Sequence, residues 1–233
     1  MDSTADSLVL PIFPLECTLL PGEPQVLRIF EPRYKQMLDD CLLDDLPFGI
    51  CLVDPFHPVN GWTGPHLIGT TARICGHEEA GSNHIIEIQG QRRFRIMEII
   101  EPVAPPMDAI QHRVFPDLES LMEMVGGDED SRLYIRAKVE WMIEPEGTLD
   151  DNFKAELENI WMNFLSSLAK QNSMPEEMVE EWKNAQLATV CDWDASSIWR
   201  IASVLVADPN EKQSLLESAN LLELVTELMH VID

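Results

Sequence analysis

QVLRIFEPRYKQMLDDCLLDD, residues 25 to 45, holds a strand, a corner and a helix in succession, and its reading decides the fold. Gln25 to Phe30 is rich in apolar and β-capable residues and predicts a strand. Pro32 then suits the first position of a helix, where its missing N–H removes nothing. Tyr34, Met37, Leu38, Cys41 and Leu42 recur at helical spacing and form one apolar stripe. Asp39, Asp40, Asp44 and Asp45 fall mostly on the other side, and Pro47 helps stop the helix. A helix from Glu31 to about Asp45 therefore follows directly on a strand.

Strands surround this helix. Leu8 to Phe13 is an apolar run that leads to the turn Leu20-Pro21-Gly22. Phe48 to Val53 and Leu67 to Cys75 read as further strands, with Gly69 as a bulge or a close backbone approach. His84 to Gln89 and Arg93 to Ile100 read as a hairpin turning at Gly90-Gln91. From about Ser131 the apolar period lengthens toward that of a helix, first in Leu133, Ile135, Val139 and Trp141. Leu149 to Lys170 carries an amphipathic stripe through Leu157, Trp161 and Leu165. Ser173-Met174-Pro175-Glu176 reads as a capping box. Asp194 is placed to cap a helix from Ala195, and Asp208 to cap one with Pro209 at its first position. Met124 to Asp130, with a glycine pair and a charge run, is the expected junction between a strand-rich half and a helical half.

The 233 residues carry 41 acidic and 16 basic side chains, a formal charge of -25. Hydrophobic residues make up 45%, which excludes a disordered acidic tail. The charge repels nucleic-acid phosphates and anionic membrane surfaces. Residues 1–115 hold 16 acids and 8 bases; residues 116–233 hold 25 and 8. Solvated outer faces of helices account for the second figure, although a surface that selects basic or apolar partners also fits. No run has the length of a membrane span, and the acidic start lacks the basic region of a signal peptide, so a cytoplasmic location is expected. Five scattered cysteines without a CxxC pair read as free thiols.

Pro11-Ile12-Phe13-Pro14-Leu15, Leu20-Pro21-Gly22 and Arg28-Ile29-Phe30-Glu31-Pro32-Arg33-Tyr34 come first in a series. Phe48-Gly49-Ile50, Ile68 to Ile74 and Gly90 to Ile96 follow. Together these blocks resemble, in order, the LON substrate-binding domain, the N-terminal domain of Lon-type proteases that also occurs in stand-alone proteins. Asp208 to Leu228 resembles the family's C-terminal pattern. The resemblance implies an α+β fold, with a mostly-β PUA-like pseudobarrel and one packed helix in residues 1–125 and an α-helical bundle in residues 126–233. It also implies a non-enzymatic substrate-recognition module that binds a polypeptide client. The chain contains no GxxxxGK[ST] P-loop to hold nucleotide phosphates, and the expectation is a recognition domain without motor or protease. The likeness of LON barrels to PUA barrels implies a second reading, an RNA-binding accessory protein, which the charge opposes.

Chemistry is sparse. There is no GxSxG elbow and no HExxH, and neither a catalytic residue nor a cofactor nor a metal is expected. His77 and His84 flank the turn Gly81-Ser82-Asn83 and read as a solvated hairpin tip. Partner-binding candidates fall into three groups. Phe30, Arg33 and Tyr34 suit partner contact, although each also has a local role at the strand-to-helix corner, with Arg33 placed to tie Glu31. Arg92 and Phe94 belong to the one dense basic cluster, which fits either an anion or partner site or internal ion pairs. Phe56 and Trp62 are aromatics in the Pro- and Gly-rich stretch 54–65, read as a long loop that either binds or plugs the barrel end. The oligomeric state is open.

Overall fold

The computed structural model describes residues 8–106, 118–126 and 131–232. Seven strands build one mixed sheet. They are β1 (Leu8–Leu15), β2 (Pro24–Ile29), β3 (Phe48–Val59), β4 (Trp62–Pro65), β5 (Ile68–Ala80), β6 (Asn83–Ile100) and β7 (Arg136–Trp141). Helix α1 (Pro32–Asp44) separates β2 from β3, and α2 (Leu118–Val125) precedes β7. The strand pairings return to their start: β1 pairs β7, then β6, β5 and β3 follow, and β3 lies parallel to β1. β4 extends β3, and β2 pairs with β6 outside this ring. Parallel neighbours need a crossover, and α1 lies within the one joining β1 to β3.

Alternation along β1 sends its side chains into two cores. Leu10 and Ile12 pack with Phe94, Ile96, Ile135, Ala137 and Val139. Phe13 packs with Tyr34, Met37, Leu38 and Cys41 of α1. The stripe on α1 is as expected except at its end, where Leu42 is 41% exposed. Gln36 is buried instead, because its amide oxygen accepts the Leu133 N–H at 2.8 Å. Asp40, on the side read as solvated, accepts from the Tyr134 hydroxyl at 2.6 Å and pairs with Arg132 Nε at 2.8 Å.

Five expectations need correction. The hairpin at Gly90-Gln91 does not exist; β6 runs unbroken through it, and the chain turns at Gly81-Ser82 instead. Gly90 is required by a close approach. A Cβ there would lie 2.2 Å from the Leu20 carbonyl oxygen, and Gly90 exchanges backbone hydrogen bonds with Gly22 and Glu23. Next to it the register shifts, so that Gln91 and Arg92 face the single residue Thr71, a β-bulge. The stretch 54–65 is no loop. β3 and β4 form a hairpin closed by Asn60-Gly61, both with positive φ, as a two-residue turn that matches strand twist requires.

The helical period read from Ser131 to Met142 is also wrong: Arg136–Trp141 is a strand held between β1 and β6. Six residues with apolar positions spaced 2 and 4 apart fit either period, and the vacant edges beside β1 and β6 decide. Because β7 completes the ring, the compact units divide between Met142 and Ile143, whereas the sequence placed the boundary at 125/126. Within the expected junction, residues 127–130 lie outside the described residues.

The second unit contains α3 (Asp151–Gln171), α4 (Glu176–Leu187), α5 (Ala195–Leu205), α6 (Pro209–Leu216) and α7 (Leu221–Ile232). Asp150, Asp194 and Asp208 each accept backbone N–H groups at a helix start. The capping box at Ser173 is absent. Ser173 has φ +52°, and Pro175 occupies the cap position without a side-chain bond. Ile198, Ile201 and Ala202 of α5 and Leu221, Leu224, Val225 and Leu228 of α7 are buried, whereas α4 buries none of its side chains.

Candidate functional site

At the corner between β2 and α1 the chain leaves the sheet at Ile29, and Phe30 projects with 54% of its surface exposed. Glu31 holds the position before the helix in an extended conformation, and its carboxylate makes no cap bond. Arg33 takes that carboxylate instead, Nε donating to Oε2 at 2.9 Å. The guanidinium carbon of Arg33 lies 4.2 Å from the centre of the Tyr34 ring. It lies 3.7 Å from the centre of the Trp62 ring. Both distances fall within cation–π range.

Trp62 reaches this corner because the Asn60-Gly61 turn folds β4 back along β3. Its indole N–H donates to the Ala104 carbonyl at 2.8 Å, which fixes the ring. Burial pushes the Tyr34 hydroxyl well above its ordinary value, against the opposing pull of Arg33, so it stays protonated at neutral pH. The corner walls a cleft of about 220 Å³, where Phe13, Leu15 and Ile29 supply apolar surface and Arg28, Glu31 and Arg33 supply charge.

Four of the seven partner-binding candidates, Phe30, Arg33, Tyr34 and Trp62, thus come together. The other three do not. Phe56, on the same hairpin as Trp62, is 85% exposed; neither residue lines the cleft wall, but Trp62 packs on Arg33. The Phe56 N–H donates to Asp54, which also binds His57 Nδ1 at 2.7 Å. The His57 hydrogen bond, then that N–H, holds the Asp54 carboxyl below its usual range. Arg92 lies with its guanidinium carbon 4.5 Å from the centre of the Trp141 ring, beside a second groove of about 360 Å³ at the far end of α1. Exposed Leu42 and Leu46 border that groove. Phe94 is fully buried in the core and cannot present itself to a partner. The bulge at Gln91 and Arg92 offsets the alternation and leaves Arg92 out and Phe94 in.

Reasoning from sequence missed Arg28, Phe13 and Trp141 as wall residues. Arg28 was detectable as an outward position on β2 next to inward Ile29; Trp141 was hidden by the mistaken helical period. His77 and His84 do more than flank a turn: their rings stack across the β5–β6 hairpin, with Nε2 and Nδ1 at 2.9 Å. Among the described residues no group of three or more His, Cys, Asp or Glu side chains is arranged to hold a metal, and no helix is long and apolar enough to cross a membrane.

The family model for the ATP-dependent protease La (LON) substrate-binding domain matches residues 9–233. A comparison with curated protein sequences found no match. Among solved structures, the crystal structure of a Lon N-terminal domain protein from Xanthomonas campestris aligns with a TM-score of 0.60 at 20% identity, covering 97% of this chain and 99% of that one. The N-terminal domain of the Mycobacterium avium complex Lon protease aligns with a TM-score of 0.58 at 16% identity, over 97% and 98%. At such identities the likeness is one of fold.

Proposed function

Because the chain belongs to the LON substrate-binding domain family, we propose that it is a polypeptide-recognition module that works without ATP, a cofactor or proteolysis of its own. In this reading the closed ring of strands is a PUA-like pseudobarrel and the helices of the second unit form the bundle. The observation that carries the proposal is the corner cleft. An aromatic side chain, Phe30, stands more than half exposed at its rim beside a stacked and immobilised Arg33. Aromatic and arginine side chains held rigidly at a concave apolar surface are the usual anchors of protein partners. The charge of -25 opposes phosphate backbones and leaves exposed polypeptide as the better-matched ligand.

A membrane-bound library of fixed-length peptides, probed with the purified chain, tests this. Peptides rich in aromatic and aliphatic residues should be retained. Phe30→Ala, which removes a rim anchor, and Trp62→Ala, which removes the ring packed on Arg33, should each weaken retention about tenfold, while far-ultraviolet circular dichroism stays unchanged. Retention of a labelled RNA oligonucleotide but of no peptide would reverse the reading.

A further inference from the structure

Arg33 is only partly used by its own chain. A guanidinium carries five N–H donors in one plane. One of them, on Nε, is taken by Glu31, and Arg33 makes no other hydrogen bond among the described residues. The Tyr34 and Trp62 rings stack against the guanidinium, and 15% of the side chain remains accessible. The group is therefore held at the wall of the cleft, and among the described residues its two amino groups have no acceptor.

The charge around it runs against the rest of the molecule. The whole chain has 41 acids to 16 bases, yet the cleft wall has Arg28 and Arg33 against Glu31 alone. The remaining wall is apolar, with Phe13, Leu15 and Phe30, and low surrounding polarity strengthens a charged hydrogen bond. A planar fork of donors matches a carboxylate, whose two oxygens accept in parallel.

We propose that the corner cleft reads a carboxylate on the bound polypeptide, an Asp or Glu side chain or the chain's own C-terminus, seated beside an aromatic or aliphatic residue. The inference rests on the polypeptide-recognition reading and adds a ligand class to it. It also runs opposite to the bulk charge, which by itself favours basic peptides.

The test uses the same peptide library in two forms, with free and with amidated C-termini, followed by fluorescence anisotropy on the best binder and its isosteres. With the 233-residue chain as receptor, replacing the peptide's critical Asp by Asn, its Glu by Gln, or its terminal carboxylate by the amide should weaken binding about tenfold or more, the loss of one bidentate charged contact. Which of these replacements acts distinguishes an internal acid from a chain end. Arg33→Gln should abolish the difference between acid and amide, even as it weakens both peptides by removing a wall residue of the cleft. Arg33→Lys should keep only part of it, because an ammonium lacks the fork.

Equal binding of acid and amide by the wild-type chain overturns the inference, and this comparison needs no variant to fold. A preference that survives in Arg33→Gln overturns the assignment to Arg33. In both cases the polypeptide-recognition reading stands if Phe30→Ala still weakens every peptide. Failure of the wild-type chain to retain any peptide removes both.

Discussion

Three carboxylates of the helical unit act locally, whereas Asp40 of the strand-rich unit acts over long range. In residues 143–232, Asp150, Asp194 and Asp208 bind backbone N–H groups two or three positions onward, at the start of their own helices. In residues 8–142, Asp40 of α1 binds the hydroxyl of Tyr134, 94 positions away, and the guanidinium of Arg132. A cap completes a helix that already exists. The Asp40 contacts hold a helix onto the segment that leads into β7, and so they join parts that no local signal connects. The same molecule thus shows which electrostatic contacts a sequence motif announces and which depend on a finished sheet.

Three changes sharpen or break this contrast. The largest effect is expected for Asp40→Ala, which leaves a part-buried hydroxyl and a part-buried guanidinium without their shared acceptor. It should lower stability by about 2 kcal/mol, read as a fall in the urea midpoint. A loss no larger than that of a helix cap would show that the long-range contacts add nothing beyond local ones.

Asp194→Ala comes next. Its carboxylate accepts both the N–H and the hydroxyl of Ser197 at 2.8 Å. Losing the cap should cost about 1 kcal/mol. Asp194→Asn should recover most of it in the same denaturation experiment, because the amide oxygen still accepts.

The smallest effect is expected from pH and lies in the first unit. Burial, then the neighbouring Asp40 and Asp44 charges, pushes the Cys41 thiol from its ordinary 9.0 up to about 12. Burial raises Cys51 as well. The folded state holds these protons more tightly than the unfolded state does, so their contribution is complete below pH 9 and declines as pH rises toward 12. The urea midpoint should therefore drop between pH 8.5 and 10, about the span over which an unfolded thiol ionises, and Cys41→Ala should flatten that drop. An unchanged slope in the variant would remove Cys41 as its source.

Legibility differed between the halves for a related reason. Helices α3, α5 and α6 could be read from apolar spacing or from acids at their starts, because a helix closes its hydrogen bonds within its own segment. β1, β2, β5 and β6 were placed as segments, but their turns were not, and β4 and β7 were missed. Gly90 resembles a turn residue and in fact lies under the Leu20 carbonyl in mid-strand. Asn60-Gly61, the stronger turn signal, sits inside a proline-rich stretch that reads as a loop. The strand at Arg136–Trp141 takes its conformation from β1 and β6 on either side.

The candidate site shows the same division. Phe30, Arg33, Tyr34 and Trp62 were all recognisable as contact-prone residue types, and the resemblance from Pro11 to Ile96 pointed to the family. The sequence by itself determined the strand-to-helix corner, since Pro32 and the apolar stripe require only neighbouring residues. It also determined the acidity, 41 acids against 16 bases. Only the tertiary structure decided that Trp62 closes over Arg33, that Arg92 lies at the other end of α1 and that Phe94 is core. Those outcomes depend on a two-residue turn and a one-residue bulge, and in a strand a shift of one position moves a side chain from one face to the other.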